Sequence, residues 1–427
     1  MYSLIVLSLL TLMVLLLIAG KPERHYVGLV LIVVLLGTGT ATLGDILYYV
    51  EWDVLGLILC MSIFTVFLEE SGLAQKTASF LVNKVKKPKL LSFLLILLSG
   101  IVSIALENVT VVLIFAPVVF RVVKRTSLDP VSLLVGVVLA ANMAGSATLI
   151  GDPPAMIVAG HYNLGFLDFI FYGGRPSMFF LTLVPMMIST YIYSTFIVKV
   201  APHTRTNINE ENEDELQDPV FAYETLFFLS LKIVLLSIRH ILGISLTTAA
   251  SIGLGGLVIT RILHGDWRRV RGYIVRGFEW KTLLFLAGVF TLSGSFEKHG
   301  LARALADAVL RAGSDVFVVT GILIWLSVAV SAVIDNVPYV ATMLPVIDII
   351  AEKVHTDPVV IVWSLLLGAT LGGGITYIGA SANVVGVRIL EKKGYQITFY
   401  DFIKKSIPFN LANILSGWIL YIWLWLF

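Results

Sequence analysis

The sequence predicts an all-α polytopic membrane protein. It is built from two inverted repeats of five spans, each with a re-entrant hairpin and a broken helix, about ten spans and two hairpins in all. Three observations lead there: the composition, an internal repeat at one fixed offset, and polar breaks that fall in matching places inside apolar runs. Of 427 residues, 58% are hydrophobic and 14% charged, and the mean hydropathy is +0.93. A soluble domain carries roughly 25% charged residues. The first partner is therefore the lipid bilayer. The formal net charge of +2 gives no reason to expect a nucleic-acid partner. In a membrane protein the distribution of charge carries more information than its total.

Apolar runs place spans near 2–19, 26–42, 54–69, 130–159, 176–199, 221–238, 243–262, 282–297, 358–389 and 406–427. The run from Tyr2 to Ile18 lacks the basic flank and small-residue cleavage site of a signal peptide, so it reads as the first span. Two more stretches, 90–123 and 316–351, are too long for one helix and are interrupted at Glu107-Asn108 and Asp335-Asn336.

A shift of 228 residues superimposes the landmarks, as Asn108 onto Asn336 shows. Glu51-Trp52 falls on Glu279-Trp280, Gly72-Leu73-Ala74 on Gly300-Leu301-Ala302, and Pro117-Val118 on Pro345-Val346. Asp129-Pro130 falls on Asp357-Pro358; Gly145, Thr148 and Ile150-Gly151 fall on Gly373, Thr376 and Ile378-Gly379. One match among common dipeptides means little; so many at one offset mean a duplication. With one re-entrant hairpin per half, the number of crossings per half is odd, so the halves are inverted, as in many secondary transporters.

Basic residues give the orientation. With the N-terminus outside, all Lys and Arg but Arg175, Lys232, Arg239, Lys298, Arg303, Arg311 and Lys353 fall in inner loops, 23 of 30. Clusters at Lys84–Lys89 and Arg121–Arg125 put both ends of the first hairpin in the cytosol. Repeat 1 then covers 1–200, of which 1–89 form a scaffold and 90–200 a transport unit. A solvated acidic linker covers 201–220. Repeat 2 covers 221–427, of which 221–314 form a scaffold and 315–427 a transport unit. Both termini lie outside a plasma (inner) membrane. Lys232, inside an apolar run, is expected to snorkel or to pair with Glu224.

Four interruptions form two pairs: the hairpin tips "ALENVTV" (105–111) and "VIDNVPY" (333–339), and the broken spans "TLIGDPPA" (148–155) and "TYIGASAN" (376–383). Irregular backbone at membrane depth is tolerated only where protein buries it or it lines a wet cavity, and inverted repeats bring such breaks together near the midplane. Asp152 is a good N-cap and Pro153 suits the first helical position, so the helix can stop at Gly151 and restart. Asn108 and Asn336 are expected to cap the returning hairpin arms. Glu107, Asp152 and Asp335 are costly at depth and read as ion- or proton-handling groups. Asp152 corresponds to Ala380, so the first half supplies two acids and the second one. No Lys or Arg lies within the four motifs, which favours a cation, a proton, or a neutral polar solute exchanged against one. The expected substrate and ion site comprises Glu107, Asn108, Thr110, Thr148, Gly151, Asp152, Asp335, Asn336, Thr376, Gly379, Ser381 and Asn383.

No cofactor is expected. There is no Walker-type stretch, the seven histidines lie near span ends or in loops, and Cys60 is the lone cysteine. The coupling ion is H+ or Na+; sodium would be held at Asn108, Gly151, Asp152, Asp335 and Asn336. An intramembrane aspartyl protease, the competing enzyme class, needs a Gly-x-Gly-Asp pattern, and Leu149-Ile150 before Gly151-Asp152 lacks its first glycine. The duplicated, invertible organisation favours alternating access over a channel.

The runs "NVTVVLIFAPV" (108–118), "IGDPPAMIV" (150–158) and "LGGGITYIGASANVV" (371–385) resemble the ion transporter superfamily, in the branch holding arsenite efflux permeases, certain sodium/proton antiporters and the melanosomal P protein. The resemblance spans nearly the whole chain. It implies inverted repeats, a homodimer and an elevator mechanism. It also implies a cytosolic ATPase partner subunit if the chain is an arsenite pump. In the related divalent-anion/sodium symporters, Ser-Asn-Thr tips bind sodium and carboxylate, and Asn108, Thr110 and Asn336 match those tips by position. Glu107 and Asp335 before the asparagines, and Pro338 in place of a threonine, depart from that pattern. The resemblance thus implies proton-coupled arsenite/antimonite efflux of a small inorganic solute. Sodium/proton antiport and sodium-coupled organic or inorganic anion transport are the alternatives.

Single cysteines near Lys87 and Arg271 should react with a membrane-impermeant thiol reagent only from the cytosol, and one near Arg311 only from outside. The reverse labelling pattern would overturn the topology.

Overall fold

The computed structural model describes residues 2–19, 22–199 and 218–427. Most of the acidic linker, with His203 and Arg205, lies outside the described residues, as does Lys21.

The chain is a succession of helices: α1 (Tyr2–Ala19), α2 (Arg24–Gly37), α3 (Leu43–Tyr49), α4 (Trp52–Glu70), α5 (Leu73–Lys84), α6 (Pro88–Ser103), α7 (Asn108–Thr126), α8 (Pro130–Gly145), α9 (Pro153–His161) and α10 (Met178–Phe196). After the linker come α11 (Pro219–Leu242), α12 (Leu246–Leu263), α13 (Trp267–Gly277), α14 (Trp280–Lys298), α15 (Leu301–Ala312), α16 (Val316–Ser331), α17 (Asn336–Val354), α18 (Pro358–Gly372), α19 (Ser381–Lys392) and α20 (Phe399–Tyr421). Among the described residues, six helices are by themselves long and apolar enough to cross a membrane: α1, α4, α10, α11, α12 and α20. Of the other expected crossings, α8 with α9 and α18 with α19 are the broken spans. The remaining two are the short α2 and the more polar α14.

The 228-residue offset reappears as helix boundaries. Trp52 and Trp280 open α4 and α14, Asn108 and Asn336 open α7 and α17, and Pro130 and Pro358 open α8 and α18. Asp129 and Asp357 cap the last pair, each accepting from a backbone N–H of the first turn. Hydropathy passed over the short helices α5 and α15, which also match at this offset. In α15, Ala302, Ala306 and Val309 form the one buried stripe, so the helix is half polar and its mean hydropathy low. A bend of 117° then turns the chain into α16. The linker boundary also needs correction. Asp218 accepts from Phe221 N and Pro219 takes the first helical position, so α11 begins two residues before the expected start of the second repeat at 221.

Two groups of helices pack internally. In one, α2 packs on α14 and α4 on α12 and α13; in the other, α6 packs on α8, α16 on α18, and α10 on α20. They meet where α14 lies along α17 and α4 against α7 and α9. Exposed apolar side chains such as Leu4, Leu15, Phe196, Phe227 and Ile241 face outward, as a bilayer requires.

Lys232 corrects an expectation. It neither snorkels nor meets Glu224. Its Nζ is fully buried, 3.0 Å from Met61 Sδ and 3.6 Å from the centre of the Phe64 ring. Glu224 is taken by Arg261 at 3.1 Å and His264 at 3.0 Å. Arg261 also binds Asp218 at 2.8 Å. The better donor, with three acids in reach, wins that carboxylate.

The contact between α2 and α14 is backbone to backbone. A Cβ on Gly288 would lie 2.4 Å from the carbonyl oxygen of Gly28. Small residues permit this approach, and membrane helices associate through such packing. Gly288→Val should therefore destabilise the purified protein by roughly 1–3 kcal/mol, the cost of overpacking a tight contact, read as a lower melting temperature in detergent. An unchanged melting temperature would show that α2 and α14 can separate freely.

Candidate functional site

Each repeat folds its polar break by the same local chemistry. In the first hairpin, Ser103 Oγ donates to Asn108 Oδ1 at 2.6 Å. In the second, Ser331 Oγ donates to Asn336 Oδ1 and also lies 2.6 Å from the Ala369 carbonyl. Thr148 Oγ1 donates to the Ile104 carbonyl at 2.8 Å, and Thr376 Oγ1 to the Ala332 carbonyl at 2.5 Å. The serine–asparagine pairs and the threonine–carbonyl pairs are related by the repeat. They tie each hairpin tip to its own broken helix and satisfy carbonyls freed by the interruptions, which lipid could not do. Ser103 and Ser331 were missed by the sequence reading, although their matching positions in the repeat were the available signal.

The caps also differ from expectation. Asn108 and Asn336 are the first residues of their helices, and the capping positions are Glu107 and Asp335. Asp335 Oδ1 accepts from Val337 N at 3.1 Å. Glu107 makes no side-chain cap and stays free to face the cavity. At the broken helix the expectation holds. Asp152 Oδ1 accepts from Ala155 N at 3.1 Å, and Pro153 begins the helix.

Close backbone approach explains the glycines of the breaks. A Cβ on Gly151 would lie 2.1 Å from Gly145 O, and one on Gly379 would lie 2.7 Å from Ser331 O. Carbonyl oxygens therefore crowd both interruptions, where any larger residue would push them apart.

One cavity of about 720 Å³ receives both halves. Of the twelve expected residues, Glu107, Asn108, Thr110, Asp152, Asp335, Asn336, Gly379 and Ser381 line it. Thr148, Gly151, Thr376 and Asn383 do not; they hold the breaks. Asn383 is fully buried. Its Nδ2 donates to Gly373 O at 2.8 Å and Thr376 O at 2.7 Å, and its Oδ1 accepts from Asn142 Nδ2 at 2.5 Å.

Where the repeat is broken in sequence, a second network forms. Thr370 Oγ1 donates to Ser146 Oγ at 2.8 Å, and Ser146 Oγ donates to Asp152 Oδ2 at 2.6 Å. Thus α18 of the second half supports the aspartate that only the first half supplies. Asn142 lines the same cavity, and its Oδ1 is buried with no hydrogen-bond partner among the described residues. Such an acceptor suits a cation or a donor hydroxyl.

A cation enters from outside the four motifs. Arg24 Nη2 lies 2.9 Å from Asp335 Oδ2. Beside it, Lys281 Nζ lies 2.6 Å from Glu23 Oε2, and this hydrogen bond holds the Glu23 carboxyl below its ordinary range. Arg24, Arg276 and Lys281, each about half exposed, line the cavity with His25, Glu69 and Glu279, so the cavity is open to solvent on their side. On α9 beyond the break, His161 Nε2 and Tyr162 OH each lie 2.8 Å from Asp348.

The matching family profile is described as citrate transporter (CitMHS) and aligns with residues 14–368. An uncharacterized transporter of Mycobacterium tuberculosis is 30% identical over 95% of both chains. The mouse P protein is 25% identical, over 88% of this chain and 54% of its own length. The crystal structure of the Alcanivorax borkumensis YdaH transporter, reported to have an unusual topology, aligns with a TM-score of 0.56 at 16% identity, over 88% of this chain and 86% of that one. At that identity the likeness is one of fold.

Asn383→Ala should leave the Gly373 and Thr376 carbonyls unpaired in the interior. A loss of roughly 1–3 kcal/mol follows, measured as a lower melting temperature. Wild-type stability would show that water replaces the amide and that Asn383 does not hold the break.

Proposed function

The chain belongs to the citrate transporter family, and on that footing we propose that it is a cation-coupled secondary transporter giving alternating access to the cavity that both halves line. The observation that carries this reading is the convergence of Glu107, Asp152 and Asp335 on that cavity, from both hairpin tips and a broken helix. Carboxylates at membrane depth are costly. A proton or a sodium ion offsets that cost, and the solute then moves with or against it. Sodium would sit among Asn108, Asp152, Asp335, Asn336 and the carbonyls around Gly151. The role is transport, with no catalytic step.

For the solute, the surplus of acids over bases within the motifs favours an uncharged one. Arsenite or antimonite, a neutral trihydroxide near pH 7, would be held by asparagine, serine and backbone groups and exported against protons. Sodium/proton exchange is the same chemistry without the solute. A second reading, an organic carboxylate, has two supports: the description of the family profile and the presence of Arg24 beside Asp335.

In the elevator form of this mechanism, α6–α10 and α16–α20 carry the cavity past α1–α4 and α11–α14. The two packing groups support that division. A homodimer in the plasma membrane would fix α1–α4 and α11–α14 in place, and a cytosolic ATPase subunit would join it in an arsenite pump. With the basic loops inside and both termini outside, the mouth lined by Arg24 and Lys281 faces the cytosol.

Proteoliposomes loaded at different pH and sodium gradients, offered arsenite, citrate or sodium alone, distinguish these solutes. Asp152→Asn and Asp335→Asn should each reduce gradient-driven transport to background while melting as the parent does. Transport by either variant at the parental rate and pH dependence would remove that acid from the coupling site.

A further inference from the structure

The ion pair between Arg24 and Asp335 crosses from one packing group to the other. Arg24 is the first residue of α2, which is held to α14 by the backbone contact at Gly28 and Gly288. Asp335 is the cap of α17, at the tip of the second hairpin. Its carboxylate is nearly buried, 10% exposed, whereas the Arg24 side chain is 46% exposed and reaches it through the cavity mouth. The neighbouring acid, Glu23, is occupied by Lys281. The other titratable groups lining the cavity are Glu107, Asp152, Glu279, Glu69 with its partner Arg276, and His25, which packs between the rings of Tyr26 and Trp280 and lies 3.4 Å from Glu23.

We propose that Arg24 is a tethered occupant of the Asp335 cation site, an interlock that couples cation binding to movement of the hairpin. This rests on the reading of Asp335 as a coupling group. One carboxylate oxygen caps the helix and the other holds the guanidinium, so the negative charge at the tip is already offset by Arg24. A proton or a sodium ion arriving at Asp335 competes with Arg24 for the same negative charge and weakens the pair. Displacement cuts an ionic link between α2 and the hairpin, and the hairpin is then free to move. An empty cavity keeps the link and stays open on one face. The exposure of Arg24 suits the role: an ion pair so solvated is weak enough to be displaced. Arg24 is a positioning residue that sets which states of the carrier move, whatever the solute.

The test is accessibility of the cavity. In a Cys60→Ser background, Val109→Cys reports from the cavity wall. Labelling with an impermeant maleimide is followed from each side of oriented vesicles while sodium is raised from zero at fixed pH, and pH is varied at zero sodium. In the parent, label should enter only from the Glu23–Lys281 face without cation, and from both faces as the cation saturates. In Arg24→Gln, label should enter from both faces without cation, and the cation midpoint should fall roughly two- to five-fold, the range an exposed ion pair supplies. Arg24→Lys should restore most of the parental pattern. A parent that responds to cation, with an Arg24→Gln variant identical to it, would overturn the interlock alone. A parent indifferent to both sodium and pH would overturn the interlock together with the cation-coupled reading of Asp335.

Discussion

The structure depends on one constraint: backbone that leaves the helical ladder inside a membrane must find its hydrogen bonds within the protein. Four segments do so here, two hairpin tips and two helix breaks, and they solve the problem jointly. The Thr148 and Thr376 hydroxyls satisfy carbonyls of the adjacent tips, and Asn383 satisfies two carbonyls of its own break. Each unpaired group would cost several kcal/mol in hydrocarbon. The breaks are thus stable only while tip and broken helix stay together. That dependence makes each hairpin and its broken helix one body, and it places the freed polar groups around a common space.

The duplication supplies the frame, and departures from it supply the chemistry. Serine, asparagine, threonine and glycine recur at equal offsets because both halves solve the same backbone problem. Asp152 over Ala380, Ser146 over Gly374 and Asn142 over Thr370 do not recur. These unmatched residues form the network from Thr370 through Ser146 to Asp152, with Asn142 beside it. A symmetric site would bind equivalent groups in both halves. The asymmetric one holds its second carboxylate in the first half alone, which gives the cavity a preferred place for positive charge.

Much of this was legible in the sequence because backbone problems leave local marks. A proline after an aspartate, a glycine before it and an offset of fixed length located both breaks and both tips, and eight of the twelve residues they pointed to line the cavity. The errors have physical causes. Asparagine and aspartate are both good caps, and local pattern could not choose between them; in each tip a serine five residues back binds the asparagine, and Asp335 caps the second tip while Glu107 leaves the first uncapped. The helices α5 and α15 were overlooked because half-polar helices at an interface have no apolar run. Arg24 was read as an inner-loop charge. Nothing periodic links it to Asp335, 311 positions away, and only the fold could bring them within 2.9 Å.

That long-range pair changes how the charge of the site is to be weighed. Counted within the motifs, the cavity has three acids and no base, which points to cations or neutral solutes. Counted with Arg24, one acid is already neutralised by a side chain that belongs to the other packing group. Under the proposed elevator motion, a charge held from across the boundary between the groups is not a fixed feature of either state. If the hairpin leaves α2, the cavity carries the full negative charge of its acids and must hold a cation to offset it. If the hairpin stays, the guanidinium supplies the offset. The electrostatic cost of the empty cavity is therefore lowest where Arg24 can reach it, and under the proposed alternating access the same balance favours movement of the loaded cavity.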